Sequence, residues 1–345
     1  MSIKKRLLLF VVLVLLPLLS IWLLQQKYIV INGETMGTTY TIKCYTPKWV
    51  TKNKVILDVE KELARINMIF STWDETSEIS QFNMNTSTKN IAISKDLKDL
   101  VKLSKDLYEN TTGYFDPTIK SLSDIWGFSS YKSYFSIPKK EKIKDIKKQV
   151  GLDNVILTNN HLKKLNPTIK LDFSAIVKGF AVDQIALLLE SVGSKKYMVE
   201  IGGEVRVLTT SKSPWTIGLN KPEYHNIEQD LLGSLELVSG ALATSGDYQN
   251  FFEKDGVIYS HIMDAKKGSP VQSNITSVSI IAPDCVLADG LATSVMALGL
   301  NRGLSLIESY PNVECLIVAR NDGDSLEIYQ SSGFKKINYR PFKSL

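Results

Sequence analysis

Apolar residues fall at Val55, Val59, Leu63, Ile66 and Phe70, a spacing that predicts an amphipathic helix over 55–70. A second such helix is expected over 97–108, ended by Thr111-Thr112-Gly113. Ser77, with Ser80 and Gln81 behind it, reads as the cap of a short helix. Further helices are expected after Pro138 in the lysine-rich 133–148 stretch, over 176–191, and over 289–300 with Asn301 and Gly303 ending it. Runs rich in Ile, Val, Thr and Tyr predict strands at 28–32, 38–44, 155–157, 169–172, 197–201, 205–208, 215–219, 235–238 and 277–282. Residues 315–320 and 325–329 predict a closing hairpin around Asn321-Asp322-Gly323. Residues 242–248 and the Lys254-Asp255-Gly256 turn form a hairpin-like return that brings Ser245-Gly246 near His261 if those strands pair.

One stretch breaks the amphipathic pattern. Lys4-Lys5-Arg6 precede Leu7 to Leu24, an apolar run interrupted only by Pro17 and Ser20. A basic segment before 18 such residues reads as a signal anchor with its body outside the cytoplasm, or as a cleaved signal peptide. The boundary is placed at residue 27, with one domain over 28–345 and no repeats or low-complexity linkers.

The formal charge is +5, and Lys4, Lys5, Arg6 and Lys27 carry four of it, leaving +1 on the rest. That near-neutral body offers no electrostatic case for nucleic acid. Three cysteines with no CxxC pair argue against a zinc site or a disulfide framework.

The chemistry concentrates between Tyr259 and Thr293. His261 is one of three histidines. His161 and His225 fall in polar turns and read as surface residues. Asp289 and Thr293 lie one helical turn apart on one face, and two hard oxygen donors so placed suit Mg²⁺. Lys178 sits in the first turn of its helix, where free N–H groups favour phosphate; it is a phosphate partner or an exposed lysine. Met36-Gly37-Thr38 is a hairpin turn or a close approach to a ligand, and Trp73 is a core residue or a stacking platform. Gly202-Gly203 permits unusual backbone angles where a strand ends.

Taken in order, Met36-Gly37-Thr38, Ser71-Thr72-Trp73 with Ser77-Glu78, Tyr114-Phe115-Asp116, Asp172 to Gly179, Ile201-Gly202-Gly203, Ser245-Gly246-Asp247-Tyr248, Ser260-His261, and Ala288-Asp289 with Thr293 resemble the ApbE family of FAD:protein FMN transferases. The likeness runs from Gly33 to the carboxyl terminus. It implies an α+β, T-fold-like architecture of mixed, largely antiparallel sheets with packed helices, in a single catalytic domain. It implies transfer of FMN from FAD to a Ser or Thr of an exported or membrane redox protein, with Mg²⁺ required and AMP released. Carried over by position, Met36, Trp73, Tyr114, Phe115, Asp116, Asp172, Lys178 and Met263 would line the FAD site. Ala175, through its backbone carbonyl, would join Asp289, Thr293 and a backbone oxygen of Ala292 at the metal, and His261 would be the essential histidine. Asp264 is a candidate to orient its imidazole. Ala265 stands where the family often has Pro, a change confined to a turn. FAD hydrolysis to FMN and AMP, and flavin binding without catalysis, are the alternatives.

Overall fold

The computed structural model describes residues 25–128, 135–223, 230–248, 250–321 and 325–342. The Leu7–Leu24 run, His225 and the Asp322-Gly323 turn lie outside the described residues, and no helix among those described is long and apolar enough to cross a membrane.

The chain enters through β1 (Gln26–Thr35) and β2 (Thr38–Pro47). Met36 and Gly37 join them with φ of 51° and 73°, the paired left-handed angles of a type I′ turn, whose twist matches the flanking strands. Then come α1 (Lys52–Phe70), α2 (Glu78–Met84), the short β3 (Ile91–Ala92) and α3 (Lys95–Asn110). Thr51, Ser77 and Ser94 cap these helices by accepting the N–H of Lys54, Ser80 and Leu97. The apolar stripe of α1 is buried at Val55, Val59, Leu63, Ile66 and Phe70, as its spacing requires.

Next follow α4 (Lys120–Trp126), α5 (Lys140–Lys147), β4 (Val155–Thr158), β5 (His161–Lys164) and α6 (Val177–Ser191). Here two expectations are corrected. The strand expected at 169–172 does not form; β4 pairs with 161–164 instead, because Asn159 takes a φ of 53° and turns the chain back at once. His161 therefore opens a strand rather than sitting in a turn, although its side chain is exposed. Lys164, on the same strand, is fully buried and donates to the carbonyls of Asn83 and Asn85 at the end of α2.

The remainder is strand-rich: β6 (Lys196–Ile201), β7 (Glu204–Thr209), β8 (Trp215–Asn220), β9 (Leu231–Leu237), β10 (Ser239–Gly246), β11 (Phe251–Lys254), β12 (Val257–Ser260), β13 (Met263–Asp264), β14 (Ser269–Pro270) and β15 (Ile275–Ala282). Helices α7 (Cys285–Leu298) and α8 (Leu300–Glu308) precede β16 (Glu314–Arg320), β17 (Leu326–Gln330) and β18 (Asn338–Pro341). α7 starts four residues before the expected helix, capped by Asp284, and ends at Gly299 with φ of 82°. Asn301 and Gly303, expected to end it, belong to α8.

Eight strands form one antiparallel sheet in the order β1-β2-β6-β7-β10-β15-β16-β17. Helices α6 and α7 pack against each other and against one face of it. The small sheet β18-β9-β8 supplies Ile217, Leu219, Leu235 and Leu237 to a second cluster with Val205, Val207, Leu316 and Val318 on the main sheet. β15 is covered on both faces, so all eight of its residues are buried. The 242–248 return does not pair with the strand before His261. It is part of β10, paired with β7 and β15, while β11 and β12 pair only with each other.

Candidate active site

One cavity of about 500 Å³ opens where the β1–β2 turn, the start of α6, the 244–246 end of β10, the residues after β12 and one face of α7 converge. Twelve of the expected site residues line it: Met36, Trp73, Tyr114, Phe115, Asp116, Asp172, Ala175, Lys178, His261, Met263, Asp289 and Thr293. Ala292 does not; it is fully buried in the core behind Thr293.

Each wall is held by local chemistry. Ser71 closes α1, and its carbonyl accepts the hydroxyls of Ser77 and Ser80, fixing the bend from which half-exposed Trp73 projects. Thr112 and Gly113, both with positive φ, turn the chain after α3, and the Phe115 N–H is taken by Thr111 Oγ1 at 3.0 Å. Asp116 caps the following turn through the N–H and hydroxyl of Thr118, at 2.8 and 2.6 Å. Burial nonetheless pushes its carboxyl up to about 6. The Tyr114 ring already meets two cations, with Lys266 Nζ 4.9 Å and Arg302 Cζ 4.2 Å from its centroid.

His261 follows β12. Its backbone N–H donates to the Asn250 carbonyl at 3.0 Å, and its Nδ1 lies 3.1 Å from the same oxygen. A carbonyl can only accept, so Nδ1 carries the proton and the lone pair stays on Nε2. Burial depresses the imidazole pKa, and the nearby Lys178 charge depresses it further, against the opposing pull of the Asn250 carbonyl. The ring is therefore a neutral base near pH 7. Asp264 does not orient it: that carboxylate accepts the N–H groups of Lys266 and Lys267, both at 2.9 Å, because the 264–268 turn needs its own cap. The peptide carbonyl of Asn250 has the orienting role, and no side-chain pattern could have announced it.

At the opposite wall, α6 and α7 approach so closely that a Cβ on Gly179 would stand 2.4 Å from the Cys285 carbonyl oxygen. The Gly179 N–H donates to Asp289 Oδ2 at 3.0 Å. Asp183, one turn further along α6, accepts the N–H groups of Cys285 and Val286 and pairs with Arg206 at 2.6 Å, capping α7 from a neighbouring helix. Thr293 Oγ1 lies 3.2 Å from Ser245 Oγ.

Lys178 is neither exposed nor free: its ammonium pairs with Glu204 at 2.6 Å. The unusual backbone angles expected at Gly202-Gly203 are present, but the sequence did not show which residue they present to the cavity. These glycines adopt φ of 61° and 100°, and the turn they make delivers Glu204, 2% exposed, to the cavity floor. One of its oxygens, Oε2, is buried without a hydrogen-bond partner among the described residues. Burial and the neighbouring Glu204 raise the Asp289 carboxyl well above the ordinary carboxylate range, while Lys178 opposes them. Two buried carboxylates thus face one ammonium, a deficit of positive charge that a cation would relieve. Among the described residues no cluster of three or more His, Cys, Asp or Glu forms a closed metal cage. One carboxylate, a hydroxyl and backbone oxygens are the donor set of Mg²⁺, which keeps waters and substrate phosphates as its other ligands.

A mixed α/β body with largely antiparallel sheets, and a cavity in which a neutral imidazole, an ammonium and hard oxygens converge, define a class of proteins built to act on a phosphorylated ligand. Within that class the relationship is specific. A sequence model of the ApbE family matches residues 36–317. The FAD:protein FMN transferase of Vibrio cholerae is 36% identical over 308 residues, covering 88% of this chain and 91% of the relative. That of Haemophilus influenzae is 34% identical over 322 residues, covering 91% and 92%. The solved flavin transferase ApbE from Vibrio cholerae superposes with a TM-score of 0.82 at 34% identity, over 90% of this chain and 99% of that one. An ApbE protein from Thermotoga maritima gives 0.80 at 29% identity, over 90% and 99%. The chain belongs to the ApbE family.

Proposed function

We propose that the protein transfers FMN from FAD to a Ser or Thr hydroxyl of an exported redox protein and releases AMP, with Mg²⁺ held by Asp289, Thr293 and the backbone at Ala175. The observation that carries this reading is the His261 imidazole, held neutral with its lone pair on Nε2, in the same cavity as Lys178 and Asp289. The names of the relatives point the same way: FAD:protein FMN transferase at up to 36% identity.

In this reaction the acceptor oxygen bonds to the FMN phosphorus as the bond from that phosphorus to the bridging oxygen breaks. AMP leaves with the bridging oxygen, and the acceptor proton goes to His261 Nε2. Lys178 presents positive charge to the diphosphate while Glu204 holds its direction. Mg²⁺, held by Asp289, Thr293 and the Ala175 carbonyl, would add charge neutralisation on the phosphate oxygens. Met36, Phe115 and Met263 offer apolar surface to the ring systems, and Asp116 and Asp172 offer hydrogen-bond acceptors. The extracytoplasmic setting rests on the Lys4-Lys5-Arg6 and Leu7–Leu24 segment, which serves as anchor or leader.

Incubation with FAD, Mg²⁺ and a flavin-acceptor protein should give an acceptor heavier by one FMN, together with one AMP per adduct. AMP released at the same rate without acceptor, and no adduct with it, would replace transfer by hydrolysis. Protease protection in intact cells tests the outward orientation.

A further inference from the structure

The Lys178 ammonium stands beside two buried carboxylates, and only one of them holds it. Glu204 Oε1 takes it at 2.6 Å. Asp289 lines the same cavity and is bonded to the backbone where Lys178 begins, its Oδ2 accepting the N–H of Gly179, the adjoining residue. Its negative charge also acts on the ammonium, second only to Glu204 among the carboxylates that do. Glu204 is fixed from behind by the Gly202-Gly203 turn, where a Cβ on Gly202 would stand 2.8 Å from the Thr38 side chain. With 2% of its surface exposed, Glu204 is packed on all sides. Lys178, on a four-carbon stem, can swing.

We propose that Glu204 is a positioning residue whose task is to keep Lys178 off Asp289, so that Asp289 stays open to the cation. Without the Glu204 charge, Asp289 is the carboxylate left in the cavity with the strongest pull on a partly buried ammonium, and the ion pair that forms takes the cation's place. The inference rests on the reading of Asp289 as a cation ligand in the proposed function. It explains why a buried carboxylate that needs no cation of its own sits on the cavity floor. It also gives a distinctive sign: the damage done by removing Glu204 should be undone by removing Lys178 as well.

The test is Mn²⁺ binding by the full-length protein without FAD, so that the diphosphate contact of Lys178 does not enter, read from the electron paramagnetic resonance of free Mn²⁺, with Mg²⁺ as competitor. Glu204→Gln, which keeps the side chain's shape, should weaken Mn²⁺ binding about tenfold or more, the usual cost of losing a residue that supports a metal ligand. The double variant Glu204→Gln with Lys178→Met should recover most of that affinity, and the recovery itself shows that the fold has survived. A Glu204→Gln variant that binds Mn²⁺ like the wild type overturns the inference and leaves the transfer reading standing. A double variant as weak as Glu204→Gln also overturns it, because Glu204 would then act through something other than Lys178. Wild-type protein that binds no Mn²⁺ removes the inference together with the metal assignment, and AMP release from FAD then decides the transfer reading separately.

Discussion

Gly179→Ala is the smallest change that strikes the site through the fold. At an open helical position it would stabilise by about 1 kcal/mol, because alanine is the better helix former. Here the new methyl would stand 2.4 Å from the Cys285 carbonyl oxygen, 2.7 Å from its carbon and 2.9 Å from Asp289 Cβ. Reaching an ordinary contact of 3.4 Å requires a displacement of 1.0 Å (3.4 minus 2.4). Most of the obstacle is backbone, so a rotamer change cannot supply it, and α7 must move relative to α6. Overpacking of this kind costs about 1–3 kcal/mol. Set against the helix gain, the net loss is about 0–2 kcal/mol, a shift of only a few degrees in melting temperature. The site fares worse. α7 carries Asp289 and Thr293, and a misplacement of about 1 Å is enough to lower a rate roughly 10²-fold. The assay is paired: thermal melting beside AMP release from FAD across a Mg²⁺ titration. The expected result is a nearly intact melting temperature with a large loss of activity and a raised Mg²⁺ requirement. A variant with wild-type turnover and an unchanged Mg²⁺ midpoint would refute the claim that this helix contact sets the geometry.

Three further outcomes are expected. His261→Gln should retain FAD affinity while transfer falls by about 10²–10⁴-fold, the usual contribution of a general base; full transfer would remove the imidazole from the mechanism. In the wild type the acid limb of the transfer rate should lie below 6.5, the ordinary histidine value, because burial and Lys178 favour the neutral ring; a limb above that value would contradict the assignment. Asp116→Asn removes a carboxyl pushed up to about 6, so the folded state resists its ionisation more than the unfolded chain does. The wild type should lose stability as pH rises from about 4 to about 6, by about 3 kcal/mol at most, and the variant should not, which denaturant melts at pH 4 and pH 7 would show.

How much of this the sequence disclosed depended on whether a feature is local. The α1 stripe, the Ser77 cap and the two strands β16 and β17 are written in neighbouring residues, and each of these elements forms within a few residues of its expected bounds. The site residues were reached through motif order, and the cavity gathers twelve of them. What stayed hidden has partners far along the chain. Glu204 reaches Lys178 across 26 positions and Asp183 caps α7 across 102, neither visible in any window. The Asn250 carbonyl beside His261 has no side-chain signature at all. The strand expected at 169–172 failed for a local reason instead, since the left-handed Asn159 lets β4 pair with the residues immediately after it.

The register of α6 against α7 joins two motifs that the sequence keeps apart. The helices meet along one stripe in which positions rise on one as they fall on the other. Asp183 binds the N–H of Cys285, and Gly179 donates to Asp289. Four residues down on the first and four up on the second is one turn on each, a step that keeps the same faces together. The same direction leads past the start of α6 to Ala175 and one further turn along α7 to Thr293, and both line the cavity. The proposed cation ligands are therefore the open end of a helix contact whose closed end is the Asp183 cap. This accounts for Gly179 lying between them, since any side chain there would part the stripe. It accounts equally for Asp183 carrying no chemistry of its own: the cap fixes the axial position of α7, and that position sets the height at which Asp289 and Thr293 enter the cavity. Asp183→Ala should then weaken the Mg²⁺ response as well as the fold, although Asp183 does not line the cavity. Its loss removes the carboxylate partner of the partly buried Arg206, at a stability cost on the order of 3 kcal/mol. A variant destabilised to that extent but with an unshifted Mg²⁺ midpoint would show that α7 finds its register without the cap.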